Sequence, residues 1–334
     1  MKKIIVVIIF TLMLFNLSAG RYAGDFIKIG SGVRALGMGG AFASVADDCY
    51  AFFWNPAGIA QLDDLQIGLM RAYLYRDLAY YDNFSFCQPL PNSVAIGINW
   101  TRLTIEDIPV YGEEHLVGTV DHRAAFPWLN LTGVPDDEFT STDDLFQIAF
   151  SKYLHYDLNI GWNFSEIPLD ICLGSNIKYI KRSILDNVGT GVGFDLALLL
   201  RTSLGVLFDL DELGDIALGL NFQDLGSTTI VWDTESKHED EILFNTKMGI
   251  SFIQPLNFIK SKLILAMDTD YVYETVQRFG MEFQYGEHVS CRAGYQEDVI
   301  STGASLKLFD IYLDYAFIND VLGPTNRVGI RVDL

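Results

Sequence analysis

Residues 278–308 read RFGMEFQYGEHVSCRAGYQEDVISTGASLKL, and their two-residue alternation decides the fold. Phe279, Met281, Phe283 and Tyr285 fall on one side of an extended chain, with Gly280, Glu282, Gln284 and Gly286 on the other. The pattern then restarts twice. Val289, Cys291, Ala293 and Tyr295 oppose Ser290, Arg292, Gly294 and Gln296; Ile300, Thr302, Ala304, Leu306 and Leu308 oppose Ser301, Gly303, Ser305 and Lys307. Successive side chains of a strand point to opposite faces, so each run is a strand with one apolar face and one polar or small face.

The same rhythm extends in both directions. Lys262 to Tyr273 sets Leu263, Leu265, Met267, Thr269 and Tyr271 against Lys262, Asp268 and Asp270, with Ile264 and Ala266 blurring the second face. Ile311 to Phe317 and Val328 to Leu334 repeat it, Arg331 and Asp333 lying on the polar face. Upstream, strands are expected near Leu65 to Tyr75, Tyr81 to Gln88, Val94 to Thr104, Leu145 to Tyr153, Ile171 to Tyr179, Gly191 to Thr202, Ile216 to Gln223 and Phe244 to Phe252. The total is about 14, an even number in the range of outer-membrane barrels. No helical period sustains itself beyond residue 65.

A soluble β-sandwich also alternates. Here the polar face is rich in Gly, Ser, Asn and Gln with scattered charge, as suits a lumen. Aromatic pairs stand at strand ends, at Tyr73 and Tyr75, Tyr80 and Tyr81, and Tyr271 and Tyr273, where an interfacial girdle belongs. The expected fold is all-β, an antiparallel transmembrane β-barrel.

The first twenty residues agree with that location. Met1-Lys2-Lys3 is a basic start, Ile4 to Phe15 an uncharged apolar run, and Asn16 to Gly20 a short polar end. This is the pattern of a secretory signal peptide over 1–20. Beyond it, no apolar run is long enough to span a bilayer as a helix. The formal charge of −20 argues against nucleic acid, whose phosphates require a basic surface. The four cysteines are scattered, with no C-x-x-C, and the five histidines never come at metal-ligand spacing, so neither a disulfide framework nor a metal centre is expected. No cofactor is expected. Nucleophile elbows are absent and no acid–base–nucleophile set converges, so the chain reads as a non-enzyme.

Two acidic stretches interrupt the rhythm. Glu106 to Asp144 contains Pro109, Pro127, Pro135 and the run Asp136-Asp137-Glu138, and is expected as a long extracellular loop. Asp233 to Glu241 is a shorter one. Carboxylates suit Ca²⁺, but neither stretch has the spacing of a calcium loop, and both read as solvated charge.

Gly30 to Leu62 is different in kind: GSGVRALGMGGAFASVADDCYAFFWNPAGIAQL. Gly30 to Ala35 fits G-x-G-x-x-G/A, yet a dinucleotide site needs a strand before it and a crossover helix after it. Here only Asp25 to Ile29 precedes it and a strand meander follows, so the nucleotide reading is rejected. Read as three blocks, Arg34 to Phe42 (RALGMGGAF), Ala46-Asp47-Asp48, and Asn55-Pro56-Ala57-Gly58, the segment resembles the N-terminal signature of the PorV/PorQ-type outer-membrane proteins. These are similar to the wider FadL-type group of hydrophobic-compound transporters.

The resemblance implies a barrel of about 14 strands over 65–334, with residues 21–64 folded back as a plug. The plug motif it marks is Arg34, Gly37, Gly39, Gly40, Asp47, Asp48, Asn55, Pro56, Ala57 and Gly58. Turn chemistry accounts for many of these types, and Asp47 and Asp48 are suited to pairing with lumen arginines such as Arg292 or Arg331; the spacing does not say which. For function, the resemblance implies protein export or surface assembly of the type IX secretion kind, with secreted cargo or other secretion components as partners. The alternative is FadL-like passage of a hydrophobic small molecule. Outer-membrane lipid is a partner in either case, and the outer membrane of a Gram-negative-type bacterium is the expected location. The chain ends Arg331-Val332-Asp333-Leu334, where Leu334 keeps the alternation although many barrel chains end on an aromatic residue.

Overall fold

The computed structural model describes residues 24–112, 118–125, 135–159, 166–210, 212–271, 275–320 and 322–334. The signal peptide read at 1–20, the first three residues of the expected plug segment, His115, Pro127 and Tyr273 lie outside them.

The strands are β1 (Gln66–Leu74), β2 (Ala79–Leu90), β3 (Val94–Val110), β4 (Asp137–Leu158), β5 (Ile167–Ile184), β6 (Asn187–Ser203), β7 (Asp215–Gln223), β8 (Thr228–Trp232), β9 (Glu239–Ile242), β10 (Asn245–Leu256), β11 (Ser261–Tyr271), β12 (Thr275–Tyr285), β13 (Val289–Gln296), β14 (Val299–Leu308), β15 (Ile311–Asp320) and β16 (Gly323–Asp333). Fourteen of them close an antiparallel barrel, with β7 passing to β10 and β16 pairing with β1. The other two, β8 and β9, form a hairpin on the upper part of β6.

Closure follows from the alternation. Outward positions carry the apolar face, among them Leu69, Ile98, Ile148, Leu196, Leu265, Met281, Ile300 and Ile330, all exposed. Inward positions carry Asn83, Asn99, Gln147, Asn176, Asp268, Glu282, Arg292 and Arg331, all buried. Such a wall suits hydrocarbon outside, because its backbone polar groups pair with one another around the ring, save for a short gap beside β6. Among the described residues, no helix is long and apolar enough to cross a membrane.

β1 begins and β16 ends at one rim, where Leu334 N–H donates to the Leu65 carbonyl at 2.8 Å. The two longest connections, 111–136 and 224–244, stand at the other rim, which is the outer side by the rule that long barrel loops face outward. Exposed Tyr73, Tyr179, Tyr271 and Tyr295 mark that end of the wall, and Tyr156, Tyr285, Phe258 and Phe309 the other. Two of the expected girdle residues do otherwise. Tyr81 faces inward and is fully buried, and Tyr75 packs against the interior from the β1–β2 turn.

The long acidic excursion is shorter than the sequence implies. β3 and β4 stay paired to Val110 and Asp137 beyond a register shift at Ile105/Ile108. Across this shift the apolar side chains change face, Ile105 before it and Ile108 and Val110 after it, so a two-residue alternation does not reveal the strand ends. The hairpin β8–β9 escapes detection because its strands are only five and four residues long, and Glu239 to Glu241, read as loop, belong to β9.

Inside the ring lies the N-terminal segment from residue 24 to residue 62, almost entirely buried. It is built of short pieces: helices Asp25–Lys28, Val33–Gly37 and Ala51–Trp54 and a 3-10 helix Pro56–Gln61. The largest apolar core of the protein forms where Phe42, Phe52, Trp54 and Ile59 of this segment meet Leu74, Ala95 and Ala149 of the wall. Contact is backbone to backbone at places. A Cβ added to Gly294 of β13 would stand 2.0 Å from the Gly39 nitrogen. The Gly294→Ala variant must therefore displace the segment or strain the wall, at a cost of about 1–3 kcal/mol. Its heat-modifiable gel migration should convert at a lower temperature than wild type; an unchanged midpoint contradicts the close approach.

Candidate functional site

The segment crosses a polar lumen, and its own backbone groups and charges must find partners there. Asp268 of β11 supplies one set. Its Oδ2 accepts the N–H groups of Phe42 (2.8 Å) and Ala43 (2.7 Å). Asn55, fully buried, donates to the carbonyls of Ala43 (2.8 Å) and Leu198 (3.2 Å), while its Oδ1 accepts from Ala57 N–H at 3.1 Å. That last bond caps the 3-10 helix, and Pro56 at its first position loses no hydrogen bond by lacking an N–H. Asn221 and Gln223 of β7 donate to the carbonyls of Trp54 (3.0 Å) and Phe53 (2.9 Å).

The charges converge on Arg34. Its Nε and Nη2 donate to the two oxygens of Glu282 at 2.8 and 3.1 Å, and Nη1 bonds Asp47 and lies 3.6 Å from Asp48. Glu282, fully buried on β12, also receives Arg292. Arg292 in turn reaches Ser305 and lies 3.7 Å from Asp314. Asp48 accepts from Tyr50 N–H at 3.0 Å and from Arg331 Nη1 at 3.2 Å. Burial disfavours the guanidinium charge of Arg34, but Asp47 and Glu282 outweigh it and hold the group protonated well above its ordinary range. Burial pushes the Asp48 carboxyl up, against the pull of Arg331 and Arg34.

Every residue of the expected motif within the segment is thus placed. Arg34, Asp47 and Asp48 meet in one network, and Asp48 takes Arg331. Arg292 does not take an aspartate of the segment; it serves Glu282 and Asp314. Gly39 has φ +67° and lies against Gly294, and Gly58 carries its α-carbon so close to Ala46 that a Cβ would stand 2.1 Å from the Ala46 carbonyl oxygen. Gly37 rests on Gly303, and Gly40, with φ +75°, on Trp54 and Arg278. Pro56 and Ala57 press on Gly174 of β5. Glu282, Asp268 and Asn221 are the wall residues that the sequence reading passed over. Each stood on a polar strand face, but a register of strands does not tell which wall residue faces which part of a distant segment.

Two further features lie in the wall beside β6. The ladder between β6 and β7 stops at Leu196–Phe222 and resumes on β8 at Gly191–Ile230. Between them Leu225 N–H donates to Phe194 O at 2.8 Å, where the chain turns through positive φ at Asp224, Gly226 and Ser227. Just below, the outer wall carries an apolar groove of about 330 Å³ lined by Leu198, Leu200, Leu218, Leu220, Met248 and Ile250. Behind the groove the inward residues are Gly219 and Gly249, paired with each other, and Ala43 of the segment lies directly against both.

No family model and no curated protein matches the chain. Among solved structures, the toluene transporter TodX of P. putida is similar with a TM-score of 0.54 at 11% identity, over 91% of this chain and 99% of that one. A FadL homologue of Pseudomonas aeruginosa gives 0.45 at 10% identity, over 91% and 98%. The likeness to TodX is one of fold: this chain is a β-barrel of the bacterial outer-membrane kind. Nothing in these comparisons speaks for a secretion role.

The network makes a direct demand. Glu282→Gln leaves Arg34 and Arg292 buried without their shared carboxylate, a change that costs about 3–5 kcal/mol in other buried pairs. In detergent, the variant should expose the segment 24–62 to added protease under conditions where wild type is resistant. Equal resistance of both proteins would show that the pair does not hold the segment.

Proposed function

We propose that the protein passes hydrophobic small molecules across the outer membrane, with the segment 24–62 as the plug of the lumen. The observation that carries this reading is the wall beside β6. A break in the strand ladder opens next to an apolar groove on the lipid side, and only glycine backbone separates that groove from the plug at Ala43. A molecule dissolved in the hydrocarbon layer has a surface to rest on there, and the strands nearest to it lack the continuous hydrogen bonding that seals the rest of the wall. A general porin needs an open aqueous lumen, whereas the buried segment 24–62 runs through this one. The resemblance of fold to the toluene transporter TodX agrees with the reading.

Export or surface assembly, which the N-terminal blocks imply by resemblance, has no wall feature of its own to support it among the described residues. The plug motif fits both readings equally, because its residues bond to the lumen wall rather than to anything outside it. Cells whose outer membrane carries the chain should take up labelled toluene several-fold faster than cells without it, and Gly219→Leu, which forces bulk between groove and plug, should slow that uptake. Indistinguishable rates with and without the protein would overturn the transport reading.

A further inference from the structure

Six cations are buried among the described residues: Arg34, Lys178, Lys247, Arg292, Arg327 and Arg331. Five have a carboxylate within ion-pair distance. Arg327 is the exception. Its side chain lies inside the upper lumen on β16, and the residue is 5% exposed. Nη1 donates to the Ile29 carbonyl at 3.2 Å, and Nε has no acceptor. Asp320, at the top of β15, acts on it only from beyond ion-pair distance.

A second group without a partner sits beside it. Thr325, two residues earlier on the same inward face, is 1% exposed and its Oγ1 makes no hydrogen bond. The strands on either side present only methyl groups at this level: Ala72 of β1 and Ala316 of β15 are the register partners of Arg327. Beyond Ala72 in the same row stands the phenol of Tyr81, buried and interacting electrostatically with the guanidinium. Small residues thus flank the charge fork, with Ile318 opposite the Thr325 hydroxyl and the phenol one strand beyond Ala72.

A buried charge is tolerated when it is paired and hydrogen-bonded. The other five buried cations each have a carboxylate supplied by the chain itself, although Arg331 Nε also lacks an acceptor. We propose that Arg327, Thr325 and Tyr81 form an oxyanion site in the upper lumen, whose occupant supplies the carboxylate or phosphate oxygens that the chain withholds. The guanidinium fork presents Nε and its terminal nitrogens to two oxygens at once, and the Thr325 hydroxyl adds a donor beside them. The ligand is an inorganic oxyanion or the carboxylate of a small organic acid. This goes beyond the transport reading, whose groove lies on the far wall and asks for no charge.

The test uses the full chain in non-ionic detergent, titrated calorimetrically with sodium phosphate and, separately, sodium benzoate, at constant ionic strength held with sodium chloride. Saturable binding to wild type is expected, weakened about tenfold or more in Arg327→Gln, since a charge-assisted hydrogen-bonded pair is lost, and several-fold in Thr325→Val. Preference for phosphate assigns a free inorganic oxyanion, preference for benzoate an organic acid, and equal response an oxyanion site that accepts both. The bound anion should also raise the heat-modification temperature of wild type and of any folded variant that still binds. Absence of saturable binding to wild type overturns the site, as does binding by wild type that is unchanged in both variants; if Arg327→Gln does not fold, Thr325→Val decides. Toluene uptake separates the two proposals: Thr325→Val should retain it, and failure of uptake in wild type with anion binding intact counts against transport alone.

Discussion

A carboxylate sealed inside the barrel, that of Glu282, is the constraint on which the interior depends. It stands on the wall, fully buried, and its two oxygens are taken by a guanidinium from the N-terminal segment and another from the next strand. A buried ion pair adds little over a well-packed apolar substitute, but removing one partner is costly. Once Arg34 occupies Glu282, withdrawing the segment leaves this buried carboxylate with Arg292 alone. The pair therefore acts less as glue than as a penalty against every other position of the segment.

Around that point the remaining contacts follow from two materials meeting. The lumen is polar because its faces alternate with an apolar exterior. The segment is apolar in its side chains and must bury its own backbone groups. Asp268, Asn221 and Gln223 answer the backbone, taking Phe42 and Ala43 N–H groups and giving to the carbonyls of Trp54 and Phe53. Glycines on the wall at 174, 219 and 294 let the two backbones touch. Phe42, Phe52 and Trp54 then fill what space is left with a core that the ring of strands could not make by itself.

The barrel was legible because its physics repeats every two residues. The C-terminal strands, exposed to lipid on one face and to polar groups on the other, announce themselves one by one. Legibility failed where one of those environments disappears. The ends of β3 and β4 lie beyond a register shift, so Pro109, Asp137 and Glu138 look like loop although they are paired. Tyr81 looks like a girdle residue because composition at a strand end does not reveal facing; a one-residue step in register reverses it. The segment's residue types were readable as turn and plug chemistry, and Asp48 does meet Arg331. The partner of Arg34 was not readable, because Glu282 lies 248 positions away and only the closed ring brings them together.

The central claim is that the segment stops the lumen. Ion conductance across a planar bilayer tests it most directly, comparing the intact chain with one lacking residues 24–62. The intact protein should show no steady conductance, and the shortened one a steady aqueous pore, since what remains is a polar-lined ring of fourteen strands. A steady open pore in the intact protein would contradict the account.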